Sequence, residues 1–166
     1  YRRLPGTVFI KIIERKPFAV LIAEKESLII DGKGHILKVT NGPPRSESEN
    51  IVEISDIASL PVVRGVTRKT IGNTFILPES VTTMIVDSIL SLEKFLPPGG
   101  LQLELNPKGS ISLLIQDILK VKIGDEENLK EKIFVLEKLL PQISGKWEKV
   151  EYVDVRSPEN PVILYK

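Results

Sequence analysis

The chain has 166 residues, enough for one good-sized domain or two small ones, and 42% hydrophobic with 27% charged residues places it among ordinary soluble globular proteins. With 23 Lys and Arg against 22 Asp and Glu, the net charge of +1 gives no electrostatic argument for nucleic acid or an anionic membrane surface as a partner. The absence of Cys removes disulfides, thiolate metal sites and cysteine nucleophiles, and the single His, His35, rules out a His-rich zinc site and confines any His-based triad to one residue.

The apolar fraction is unevenly made: 21 Ile, 15 Val and 20 Leu stand against 3 Ala. Stiff β-branched side chains suit pleated strands and Ala is the best helix former, so the core is expected to be mostly sheet. In chain order, Thr7 to Arg15 alternates Val8, Ile10 and Ile12 against Phe9 and Ile13, predicting a strand closed by Pro17. Phe18 to Ala23 and Ser27 to Asp31 predict two more, and the Asp31-Gly32-Lys33-Gly34 turn leads into His35 to Thr40, completing an antiparallel meander. Asn41 to Asn50 is broken and polar and reads as an exposed loop; Ile51 to Leu60 is ambiguous, and Leu60 to Gly65 is apolar enough to be partly buried.

From Glu79 onward, Val81, Ile85, Ile89, Leu92 and Leu96 recur at helical spacing, with Pro78 suiting the first turn and Pro97, Pro98, Gly99 and Gly100 stopping the helix. Leu101 to Leu105, Ile111 to Ile115 and Ile118 to Ile123 predict a second antiparallel run. Gly124 ends it, Asp125 is the expected N-cap of a second helix carrying Leu129, Ile133, Leu136 and Leu140, and Pro141 is expected to end that helix. Val150 to Arg156 and Val162 to Lys166 close the chain as strands, so the fold class is α+β, a mostly antiparallel sheet with two amphipathic helices. The longest apolar run, Phe18 to Ala23, is far short of the roughly 20 residues that a membrane-spanning helix needs.

Reactive chemistry is scarce. His35 beside Asp31 could serve as a general base, but a tight hairpin needs Asp and Gly there in any case. Arg64, Arg68 and Lys69 read as a solvated basic group, and Asp125, Glu126 and Glu127 as helix-start carboxylates rather than metal ligands. No catalytic, cofactor or metal residue is assigned. What remains is the last run, Val162 to Tyr165, preceded by Pro161, which cannot donate to a ladder and so favours a sheet edge. An edge strand can pair with an incoming one, so a charged or proline substitution at Leu164 is expected to weaken such pairing without unfolding the domain.

Five motifs in order then carry a resemblance. Arg2 to Ala19 (RRLPGTVFIKIIERKPFA) resembles the junction of the bacterial cell-division family FtsQ, called DivIB in Gram-positive organisms. Leu28 to His35 is similar to its "h-h-D-x-x-G" hairpin, Leu60 to Gly65 to "L-P-x-h-x-G", Val121 to Gly124 to "h-x-h-G", and Tyr152 to Arg156 to "Y-h-D-h-R". The resemblance implies a non-enzymatic divisome scaffold anchored in the cell membrane by one upstream helix, with this region extracytoplasmic and active at the division septum. It implies residues 1–16 as the C-terminal strand of a truncated POTRA domain and residues 17–166 as the β domain. The implied partners are FtsB (DivIC in Gram-positive bacteria) and FtsL, docking on the final edge strand through Ser157, Glu159, Asn160, Val162, Leu164 and Tyr165, with no cofactor. The competing expectation is a POTRA-type chaperone module of an outer-membrane assembly or secretion protein.

Overall fold

The computed structural model describes residues 11–23, 26–41, 57, 59–67, 76–106 and 110–166. Ala19–Ala23 (β1), Glu26–Ile30 (β2) and Ile36–Asn41 (β3) form the expected antiparallel meander. Phe18, expected inside β1, falls one residue outside it, although its N–H still donates to the Ile30 carbonyl at 2.7 Å. Gly34 N–H donates to the Asp31 carbonyl at 3.0 Å to close the β2–β3 turn. Residues 11–15, the described part of the strand expected over Thr7 to Arg15, lie outside the sheet, with Ile12 85% and Ile13 76% exposed. Alternation alone makes no strand: the backbone must also find a ladder, and these residues pair with none among those described. Of the loop expected over Asn41 to Asn50, Asn41 instead ends β3, and the rest, with most of the ambiguous Ile51 to Leu60 stretch, falls outside the described residues.

Val62–Arg64 (β4), expected only as a partly buried segment, is a strand in the middle of the sheet, parallel to β1 on one side and to Leu101–Leu105 (β5) on the other. Glu79–Glu93 (α1) separates β4 from β5 in sequence. Ile111–Ile115 (β6) and Leu119–Gly124 (β7) continue antiparallel from β5. Leu129–Gln142 (α2) then connects β7 to Val150–Asp154 (β8), which runs parallel to β7, and Val162–Tyr165 (β9) returns antiparallel beside β8. The sheet order is β3-β2-β1-β4-β5-β6-β7-β8-β9. The fold is therefore α+β, a nine-stranded, mostly antiparallel sheet with two helices among the described residues.

Both helices cover the same face, and topology explains why. The pairings make β4 and β7 point the same way, and each helical connection steps one place in the same direction along the sheet. Two crossovers of equal hand and equal step must place their helices on one side. There α1 buries Thr82, Ile85, Ser88, Ile89 and Leu92, and α2 buries Lys132, Ile133, Leu136 and Leu140. They meet Leu21, Leu28, Val63, Leu103, Leu113, Val121 and Val153 in one continuous core. Ion pairs Lys94–Glu137 at 3.0 Å and Lys130–Asp87 at 3.9 Å link the two helices. Neither helix is long and apolar enough to cross a membrane.

The start of α2 departs from expectation. Asn128, with a left-handed backbone (φ 52°), occupies the N-cap, while Asp125 accepts from the Lys132 ammonium at 2.8 Å. Lys132 is buried, and a buried ammonium has a stronger claim on a carboxylate than an exposed helix end has. Pro141 lies inside the final turn, one residue before the helix ends.

Candidate functional site

The β8–β9 hairpin is built from β8 outward. Val153 and, just past the strand, Val155 anchor β8 in the core, and Tyr152 and Asp154 point to the face without helices. The ammonium of Lys122, on β7, lies 3.4 Å from the centre of the Tyr152 ring. Asp154 binds the Arg156 guanidinium in fork fashion, at 3.0 Å to Nε and 2.6 Å to Nη2, and also accepts the Arg156 backbone N–H at 3.1 Å. That side-chain bond outweighs partial burial, which would raise the Asp154 carboxyl, and holds it below the usual range. The stem of Arg156 passes over Gly124, whose φ of +82° and missing Cβ leave the space it occupies. The glycine ending one sequence motif and the arginine ending another are thus halves of a single contact.

Ser157, Glu159 and Asn160 fall in the exposed β8–β9 turn, closed by the Asn160 N–H donating to the Ser157 carbonyl at 3.0 Å. Val162, Leu164 and Tyr165 lie on β9, the last strand in the sheet order, and are 51%, 39% and 53% exposed. Ile163 alone of the four β9 residues packs against the core. The structure therefore gathers the six sequence-predicted residues on one hairpin but not on one surface. Val162 and Leu164 share the open face with Asp154 and Tyr152, whereas Tyr165 shares the helix side with Ile163 and sits opposite Val150. Tyr152 and Lys122 join this surface without having been predicted; strand alternation within Tyr152 to Arg156 would have found the first of them.

Backbone direction is settled by two hydrogen bonds. Just past β8, Val155 N–H donates to the Lys122 carbonyl at 3.0 Å, so Val153 faces β7 and Tyr152 and Asp154 face β9, and Lys166 N–H donates to the Lys149 carbonyl at 2.9 Å, so even-numbered β9 residues face β8. The groups of β9 that face outward are those of Ile163 and Tyr165, together with the carbonyl of Pro161. Pro161 lacks its N–H on the outward side, which bounds the free ladder at that end. A proline at Leu164 would remove an N–H that faces β8, whereas a proline at Tyr165 would remove one that faces outward.

The other candidates resolve into structural contacts. Asp31 lies with Arg15 and His35 at the β2–β3 turn. Burial pushes its carboxyl up, but the His35 backbone N–H, the Arg15 guanidinium and the Lys33 N–H bring it down to about 2. Arg64 donates to Gln102 at 3.3 Å; Arg68 and Lys69 lie outside the described residues. Among the described residues no group of three or more His, Asp or Glu side chains is placed to hold a metal ion.

The family model described as "Cell division protein FtsQ/DivIB, C-terminal" matches residues 19–156, from the start of β1 to Arg156. No curated protein matches the chain.

Proposed function

This chain belongs to the FtsQ/DivIB family of cell-division proteins, and from that premise we propose that it is a non-catalytic scaffold whose β9 edge accepts a strand from a divisome partner. The observation that carries the reading is the character of that edge. Sheets protect their edges with charges, bulges or cover, because an unpaired ladder is a template for another chain. β9 instead exposes Val162, Leu164 and Tyr165, with no charge inside the strand. Its outward groups supply backbone hydrogen bonds at Ile163 and Tyr165, and its side chains supply apolar contact on both faces.

On this reading the occupant is the FtsB/DivIC partner with FtsL, and Ser157, Glu159 and Asn160 contact it from the turn. Residues 1–16 are the end of a POTRA domain, residues 17–166 are the β domain, and the protein is anchored in the cell membrane with this region outside the cytoplasm. Support for membrane placement comes from the family, whose members are division-associated membrane proteins with an extracytoplasmic domain.

The test is titration calorimetry of the extracytoplasmic FtsB/DivIC–FtsL complex against the parent chain, Tyr165→Pro and Leu164→Asp. Tyr165→Pro blocks the outward ladder while sparing the bonds to β8, and Leu164→Asp puts a charge on the open face. Each is expected to weaken binding by about tenfold or more, the equivalent of one or two lost hydrogen bonds or a buried apolar contact. Unchanged affinity in both, with unchanged melting temperatures, would remove the edge assignment.

A further inference from the structure

Residues 11–17 are exposed along their whole length, and no backbone hydrogen bond joins them to the described sheet before Phe18. Among the described residues, what ties them down is the Arg15 side chain. One of its terminal nitrogens, Nη1, lies 2.6 Å from Asp31 Oδ2 and 2.8 Å from His35 Nδ1. The imidazole Nδ1 in turn lies 3.1 and 3.2 Å from the two Asp31 oxygens.

Elementary proton bookkeeping restricts this arrangement. A guanidinium nitrogen has protons to give and no lone pair to accept with, so the Arg15–His35 contact requires a bare Nδ1, with the imidazole proton on Nε2. The Nδ1 lone pair then faces the Asp31 oxygens, and the Arg15 protons between them make the contact favourable. When the ring takes up a second proton, on Nδ1, it becomes a donor already within reach of Asp31 and ceases to accept from Arg15. Two cations then compete for one carboxylate. His35 has the advantage, because its backbone N–H also donates to Asp31 Oδ1 at 2.8 Å and keeps the ring in place whatever its charge. Arg15, with a side chain 49% exposed, can exchange Asp31 for water at little cost.

We infer that Arg15, Asp31 and His35 form a proton-operated latch, which holds residues 11–17 on the β2–β3 turn while His35 is neutral and releases them when it is protonated. The turn is built to keep the latch aligned. Asp31 also accepts the Lys33 N–H at 2.8 Å, and Gly34, at φ +78°, packs where a Cβ would collide with Thr82 of α1, so the hairpin is held against the helix. Asp31 stays anionic throughout the relevant range, its carboxyl titrating at about 2. The other charged groups on the elements meeting here are Lys11, Glu14 and Lys16 in the segment, Glu26 on β2, Lys38 on β3, Lys33 in the turn, and Glu79 in the first turn of α1. No ion pair or side-chain hydrogen bond joins Lys11, Glu14, Lys16, Lys33, Lys38 or Glu79 to the His35 ring among the described residues. Imidazole is the side chain whose gain of a proton switches its charge in the physiological range, so the latch is tested by comparing pH 8 with pH 5.

The chain contains no Cys, so a nitroxide attached through Ile13→Cys reports residues 11–17 alone. Its electron paramagnetic resonance spectrum is expected to be restricted at pH 8, with the mobile component rising about threefold or more at pH 5. In His35→Gln the line shape should be the same at both pH values, and in Arg15→Gln it should be mobile at both. An unchanged parent spectrum between the two pH values, or a pH response that survives His35→Gln, overturns the latch. Should His35→Gln fail to fold by Trp147 fluorescence, Arg15→Gln carries the decision, because a pH response persisting without the guanidinium is equally fatal.

Discussion

Replacing Asp31 with Asn removes a charge while nearly preserving a shape. The amide oxygen can still accept the Lys33 and His35 backbone N–H groups, which reach Asp31 Oδ1 at 2.8 Å each, but the negative charge that those N–H groups and the Arg15 guanidinium stabilise is lost. The parent carboxyl titrates at about 2 when folded and at 3.8 when unfolded, and its side chain is only 8% exposed. That difference is worth about 2.4 kcal/mol at roughly 1.36 kcal/mol per pH unit. Because the folded value is the lower one, the unfolded chain takes up the proton first as pH falls. The stabilisation is therefore complete above pH 3.8 and disappears as pH drops through about 2. Urea unfolding followed by Trp147 fluorescence should find Asp31→Asn less stable than the parent by about 2 kcal/mol at pH 7, with the gap narrowing at pH 3 and closing near pH 2. A gap that stays constant from pH 7 to pH 2 would refute the reasoning, since it would trace the loss to shape rather than charge.

Glycine substitutions should separate two kinds of crowding. A Cβ at Gly65 (φ +75°) would strike the Leu105 carbonyl oxygen, so Gly65→Ala should cost about 3 kcal/mol or more; Gly124→Ala meets only the flexible stem of Arg156, 3.0 Å away, and should cost about 1 kcal/mol, both read from urea midpoints. In the three-residue β6–β7 connection the Ile118 N–H donates to the Ile115 carbonyl at 3.0 Å, and Gln116 and Asp117 stand at φ 51° and 57°, a central pair that Asn-Gly fits better. The double change Gln116→Asn, Asp117→Gly should therefore add about 1 kcal/mol and raise the melting temperature by several degrees; an unchanged or lower value would deny that the turn is strained.

The elements that were legible in the sequence are those with local causes. Ile85, Ile89 and Leu92 are buried on α1 as their spacing demands, and β5, β6 and β7 follow their alternation to within a residue. β4 was not legible, because a three-residue strand parallel to two partners distant in sequence leaves no local period to detect. Asp125 was misassigned because capping and ion pairing compete for one carboxylate, and the burial of Lys132 that decides between them is a tertiary fact. At the edge, the residues of β9 could be named but their parity could not. A bulge between Val150 and Tyr152 shifts the register of β8, and only the observed bonds tell which β9 groups face outward.

β4 has a further consequence, for the order in which the molecule is assembled. Among the described residues no ladder joins β1 to β5; the meander β1–β3 and the larger unit β5–β9 are connected within the sheet through Val62, Val63 and Arg64. Most of the ladders on either side close between strands adjacent in sequence, the fast kind of contact, whereas Val62 must find Val20 and Gln102 at the same time. The sheet is then two quickly formed halves and one late closure, and its cooperativity passes through a three-residue seam whose central side chain, Val63, is fully buried.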